Sequence, residues 1–139
     1  MLGLKNKSEI NKDAAKLLQE KDYYAPSVHC SYYSCLQLMK YCLNSHFKLS
    51  EKEINSKVNQ YTIKNKDGSH NFYISFLFKE IKNISTTRES IDFNNKINAL
   101  KKIRTTADYS KEDILFHTSN KALTLSGDII EMIKKHLKT

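Results

Sequence analysis

Tryptophan is absent from this sequence, glycine occurs three times and proline once. So few turn formers leave little room for the hairpins of a many-stranded protein and point to long helices. No stretch approaches the roughly 20 consecutive apolar residues that a bilayer span requires, so no membrane association is expected. The opening Met1-Leu2-Gly3-Leu4-Lys5 runs straight into polar residues and lacks the apolar core of a secretory signal. Cysteine is equally scarce. Cys30, Cys35 and Cys42 are odd in number, and their spacings of five and seven residues match no zinc-ligand pair. They read as small buried residues in a reducing compartment, which makes the cytosol the expected location, with no metal or cofactor. Arginine is rare too, at Arg88 and Arg104 only, although the net charge is +8. A basic surface attracts phosphates. Yet phosphate-reading surfaces favour the arginine fork, and lysine excess on solvated faces is the simpler reading of the overall charge.

What the chain does have is apolar residues at three- and four-residue spacing along its 139 residues, a length suited to one domain covering 1–139. A first helix is expected from Ser8 as cap, with a stripe of Ile10, Ala14, Leu17 and Leu18. A second is expected from Pro26 to Ser45, with Val28, Tyr32, Cys35, Met39 and Leu43 on one face, widened by Tyr33, Leu36 and Cys42. A face so broad belongs to a central helix. Residues 46–69 are the least defined. Ser50 and Glu53 resemble a capping box, which places a short helix over Glu51–Tyr61. The next helix starts at Ser69 or His70 and buries Phe72, Phe76, Leu77 and Ile81. Thr86-Thr87-Arg88 read as a connection to a helix over Ser90–Tyr109. A last element begins at Lys111-Glu112-Asp113 and carries Leu115, Thr118, Ala122, Leu125, Ile129, Met132 and His136. Gly127 inside it suggests a close helix crossing. The expected fold class is all-α, an antiparallel bundle of four to five helices with short connections.

Arg104 stands out. It follows Leu100 by four residues and Ile97 by seven, so it projects from the apolar side of its helix. A guanidinium there needs a partner, and Asp108 lies at i+4. Two readings are open. Arg104 and Asp108 form a structural ion pair, or Arg104 lines a cleft and binds an anion with Asp108 and Tyr109 positioning it. Tyr32 and Tyr33 are the second unusual feature. Adjacent helical residues point about 100° apart, so one ring can enter the core while the other reaches a groove.

The segment Asp22-Tyr23-Tyr24-Ala25-Pro26-Ser27-Val28-His29-Cys30-Ser31-Tyr32-Tyr33-Ser34 resembles the second-helix signature of HEPN domains. Ile103-Arg104-Thr105-Thr106-Ala107-Asp108-Tyr109 is similar to their arginine-to-Asp-Tyr motif, and the helical frame agrees over about residues 8–138. The resemblance implies a HEPN-like bundle, usually a homodimer, with a cleft near Arg104. It also implies nucleotide or RNA binding, or a metal-independent ribonuclease toxin paired with a nucleotidyltransferase antitoxin. The ribonuclease members carry a histidine four to six residues after the arginine. Here Thr105–Lys111 contains none.

Metal-free RNA cleavage needs a base, an acid and positive charge on the phosphorane. Arg104 supplies the charge. Asp108 beside a cation and Tyr109, a phenol ionising near pH ~10, are poor bases. His29, His70 and His117 are candidates to approach in space, with His70 the best placed. The catalytic candidates are thus Arg104, Asp108, Tyr109 and His70, and the ligand-binding candidates Arg104, Asp108, Tyr109, Tyr32 and Tyr33. The missing histidine favours a nucleotide- or RNA-binding module over an active endoribonuclease toxin, and a plain interaction scaffold is the third alternative.

Overall fold

The computed structural model describes residues 2–139, with side chains from Gly3 onward. Among them are six helices and no strand: α1 Leu2–Glu20, α2 Tyr24–Ser45, α3 Glu51–Asn65, α4 Ser69–Ile84, α5 Thr87–Tyr109 and α6 Phe116–Leu137. The fold is an all-α bundle with one helix more than the upper expectation, because residues 46–69 hold a full helix. The Ser50 hydroxyl accepts from the Glu53 amide at 3.1 Å, and the Glu53 carboxylate accepts from the Ser50 amide at 2.8 Å. That capping box starts α3 where the sequence places it, but the helix runs a turn beyond Tyr61 to Asn65.

The central helix is α2, which packs against α1, α4, α5 and α6. Its expected stripe of Val28, Tyr32, Cys35, Met39 and Leu43 is 0% exposed throughout. Hydrogen bonds reveal the directions of packing. Ser8 donates to the Ser34 carbonyl and Ser27 to that of Ala15, so α1 and α2 are antiparallel. Cys35 Sγ lies 3.7 Å from the Ser126 carbonyl and Ser27 Oγ 3.5 Å from Ser119 Oγ, so α2 and α6 advance together. The bundle therefore contains a parallel pair, which an expectation of antiparallel neighbours missed.

Helix α1 departs most from expectation. It begins at Leu2, six residues before Ser8, and the Ser8 hydroxyl bonds α2 instead of capping. Half of the expected stripe is turned outwards, with Ile10 65% and Leu17 57% exposed, while Ala14 and Leu18 are half-buried. The buried positions are Ser8 and Ala15, seven residues apart on one face. Against Ser27 and Ser34 of α2, these short side chains let the two backbones approach, and the hydroxyls of Ser8, Ser27 and Ser34 find carbonyls where apolar bulk would not fit, while the Ser31 hydroxyl is buried without a partner among the described residues.

Other boundaries move by part of a turn. Helix α2 starts at Tyr24, leaving Pro26 in its first turn, where proline's missing N–H costs no helical bond. Helix α5 starts at Thr87, because the Thr86 hydroxyl accepts from the Glu89 amide, so Thr86-Thr87-Arg88 is a helix start. Residues Lys111, Glu112 and Asp113 stay outside α6, which begins at Phe116. Gly127 marks no close crossing, since a Cβ there would meet nothing within 4 Å.

Gly127→Ala should therefore stabilise the protein by about 0.5–1 kcal/mol, the usual helix-interior difference. Urea unfolding followed by circular dichroism tests this, and a loss of stability would mean that the α6 surface is occupied. Ile10→Lys, expected from the sequence to disrupt a core, should instead change stability by less than about 0.5 kcal/mol.

Candidate functional site

Three helices converge on Arg104. Helix α5 carries it with Leu100 and Ile97 buried on the same side. Its side chain is 12% exposed, and Nε lies 2.9 Å from Asp108 Oδ2. That N–H is buried but not aimed at the carboxylate, so the pairing is coulombic without an aligned hydrogen bond. Nη2 donates to the Tyr33 hydroxyl at 3.2 Å. The guanidinium carbon sits 5.2, 5.6 and 5.7 Å from the ring centres of Tyr32, Tyr33 and Tyr109. Such cation–π contacts offset part of the loss of hydration. Burial works against the charge on Arg104, but Tyr33, Asp108 and the neighbouring phenols outweigh it and hold its pKa above the usual value. Among the described residues Nη1 has no hydrogen-bond partner. The ion pair anticipated from i,i+4 spacing thus exists, while one edge of the fork is left over.

Tyr32 and Tyr33 divide as their angular spacing implies. Tyr32 is wholly buried, its hydroxyl 3.1 Å from His70 Nδ1, and burial pushes its phenol above the ordinary range. Tyr33 is half-buried, with its ring stacked on His29 at 4.5 Å and 30°. His29 Nδ1 in turn lies 3.2 Å from both carboxylate oxygens of Asp108. His29 and His70 therefore flank Arg104 within a single chain, without help from a second subunit. His117 does not join them; it stands exposed in the first turn of α6.

Tyr33, His70, Lys101, Arg104 and Tyr109 line a cleft of about 430 Å³, floored by Gly68-Ser69-His70-Asn71 at the start of α4. Gly68 is the cap residue of α4 and has no side chain to satisfy the first amides. A helix N-terminus of this kind carries partial positive charge. Lys101 stands three residues before Arg104, hence on a similar face, and its ammonium bonds the Asn71 side-chain carbonyl. Asp67 at the rim accepts from the Gly68 amide, and its hydrogen bonds with Asn71 and Gly68 hold its carboxyl below the ordinary range. Lys101, Asn71 and the open turn of α4 escaped the sequence reading. Lys101 carried a signal in its i–3 relation to Arg104, but one lysine among many is not conspicuous. A larger hollow of about 550 Å³ along α3 is lined by Lys52, Glu53 and Lys57 among others, and gathers no comparable set of groups.

His70 is pushed down to about 4, mainly by burial and then by Arg104, Lys40 and Lys101. At neutral pH it is an uncharged imidazole. Among the described residues no three His, Cys, Asp or Glu side chains converge as metal ligands, and no helix is long and apolar enough to cross a membrane. Cys35 and Cys42 are buried, their thiols pushed up to about 12, while Cys30 is half-buried. Chemically, the cleft can take an anion, and His29 with Asp108 can move a proton. No family model matches the chain, nor does any curated protein or solved structure.

The His70 environment has a consequence for stability. Above about pH 6.5 neither the folded nor the unfolded chain protonates His70. As pH falls from 6.5 to about 4, the unfolded chain takes up a proton that the folded one refuses, and stability is lost across that window. His70→Asn should flatten that part of the stability profile, and NMR should find the wild-type ring neutral at pH 5.5. A ring titrating near pH 6.5 would show that the imidazole is open to water.

Proposed function

We propose that this chain is a HEPN-like module that binds the phosphate of a nucleotide or RNA in the Arg104 cleft. One observation carries the reading: the largely buried guanidinium has a single carboxylate neighbour and keeps Nη1 free beside the cleft. A structural ion pair would be complete with both edges engaged. Lys101 and the uncapped start of α4 add positive potential on the same side. The neutral His70 adds no charge and leaves Nε2 for a hydrogen bond. The family resemblance adds a homodimer and a nucleotidyltransferase partner in a toxin–antitoxin pair.

Cleavage of RNA is the second reading, favoured by the approach of His29–Asp108 and His70 to Arg104. In such a reaction His29, oriented by Asp108, removes the 2′-hydroxyl proton, and the 2′ oxygen attacks phosphorus. The bond to the 5′ oxygen breaks, and that oxygen requires a proton. His70 is a poor donor in the unliganded cleft: with a pKa of about 4, roughly one molecule in a thousand carries the proton at pH 7. Binding therefore leads.

Fluorescence anisotropy with a labelled single-stranded RNA should show at least about tenfold weaker binding for Arg104→Ala, in keeping with loss of a charge-assisted contact. Circular dichroism would establish that the variant folds. Equal affinity in the two proteins would eliminate the phosphate cleft and leave the interaction-scaffold reading. RNA fragmentation on expression, lost in both Arg104→Ala and His29→Ala, would promote the second reading over the first.

A further inference from the structure

Around Arg104 stand three tyrosines in quite different states. Tyr32 is sealed in the core. Tyr33 stacks on His29 and meets Tyr32 and His70 in edge contacts, so its ring is engaged by protein on several sides. Tyr109 is 74% exposed, although it lies within cation–π distance of the guanidinium. A tyrosine serving only packing would bury its ring, as Tyr32 does. Tyr109 instead ends α5 at the margin of the cleft, where it has protein near one side and solvent over much of its surface.

We propose that Tyr109 is a stacking platform for an unpaired nucleobase, so that the cleft takes a nucleoside phosphate rather than a bare phosphate group. The proposal rests on the phosphate reading of the Arg104 cleft and adds the half of the ligand which that reading leaves undefined. Tyr109 follows Arg104 by five residues, which at 1.5 Å per residue is about 7.5 Å along the helix axis. A base attached to a phosphate at Arg104 is within reach of a ring so placed. Stacking tolerates any base, because every base has a π-face. It also requires that face to be free, which a duplex denies. The cleft therefore selects a free nucleotide or a single-stranded segment, two sources of one chemistry.

Titration calorimetry with AMP and with ribose 5-phosphate tests the platform directly, because the two ligands share the sugar phosphate and differ in the base. AMP should bind about tenfold more tightly to the wild type. Tyr109→Ala should erase that preference, so that AMP and ribose 5-phosphate bind alike, while Tyr109→Phe should retain it. A single-stranded oligoribonucleotide should outcompete its own duplex. If it binds more tightly than AMP the ligand is a strand; if AMP alone binds, it is a free nucleotide; stacking stands in both cases. Equal binding of AMP and ribose 5-phosphate, both lost in Arg104→Ala, would overturn the platform and leave the phosphate cleft standing. Failure of every ligand to bind would remove both.

Discussion

A guanidinium cannot shed its proton, so a sequence that places arginine among Ile97, Leu100 and the core of a helical bundle must build a setting for a permanent charge. Arg104 receives three aromatic faces, one phenol oxygen and one carboxylate shared with His29. These groups come from α2 and α5, and the pairs Tyr33–Arg104 and His29–Asp108 run in opposite senses along the two helices. The groups that accommodate the charge thus also register α2 against α5. His70 completes the arrangement from α4, bonded to Tyr32 and held uncharged by the cations around it. Part of the guanidinium remains unsatisfied among the described residues: a buried Nε–H without an aligned acceptor, and Nη1 without a partner. An incomplete setting of this sort costs stability in the free protein and is available to a ligand.

The same contrast between satisfied and unsatisfied groups explains what could be read in the sequence. Helix α2 was legible because its buried residues are large and apolar at helical spacing. Arg104 was legible because it interrupts such a series. Helix α1 was misread because its inner face consists of serine and alanine, while Ile10 and Leu17 point to solvent. Apolar periodicity measures the wrong quantity where helices meet through small residues. There, hydroxyl-to-carbonyl bonds such as Ser8 to Ser34 and Ser27 to Ala15 replace interlocking bulk. The site was legible only as far as its own helix extends. Arg104, Asp108 and Tyr109 share α5, whereas Lys101's relation to Asn71 and the placing of His29 and His70 depend on how helices cross.

Lysine excess also has two meanings in this molecule. Most lysines lie on solvated faces, as the composition led one to expect. Lys101 is different: it is held by Asn71 at the cleft, beside Arg104 and the open start of α4. Lys40 bears on the same region from α2, since its charge acts on His70. Net charge alone could not distinguish this cluster from the remainder, because the total of +8 is the same whether the cations are dispersed or three of them gather around one imidazole. Locality, not total charge, defines the candidate site.

The balance between binding and cleavage turns on what an anion would do to that imidazole. Burial and three cations keep His70 unprotonated in the free protein. A phosphate between Arg104, Lys101 and His70 would bring negative charge to the groups that now repel the proton. Its attraction acts at close range in a partly desolvated cleft, where charge is poorly screened. With such a phosphate in place the pKa of His70 would rise. By linkage, a phosphate so placed would bind more tightly wherever that rise adds a proton. The histidine that makes a poor acid in the empty cleft is thereby least representative of itself in the occupied one. His29 differs in its setting, since Asp108 already faces its ring. The geometry consequently separates two histidines that sequence alone could only name together: His29 oriented by Asp108, and His70 held uncharged beside the cleft cations.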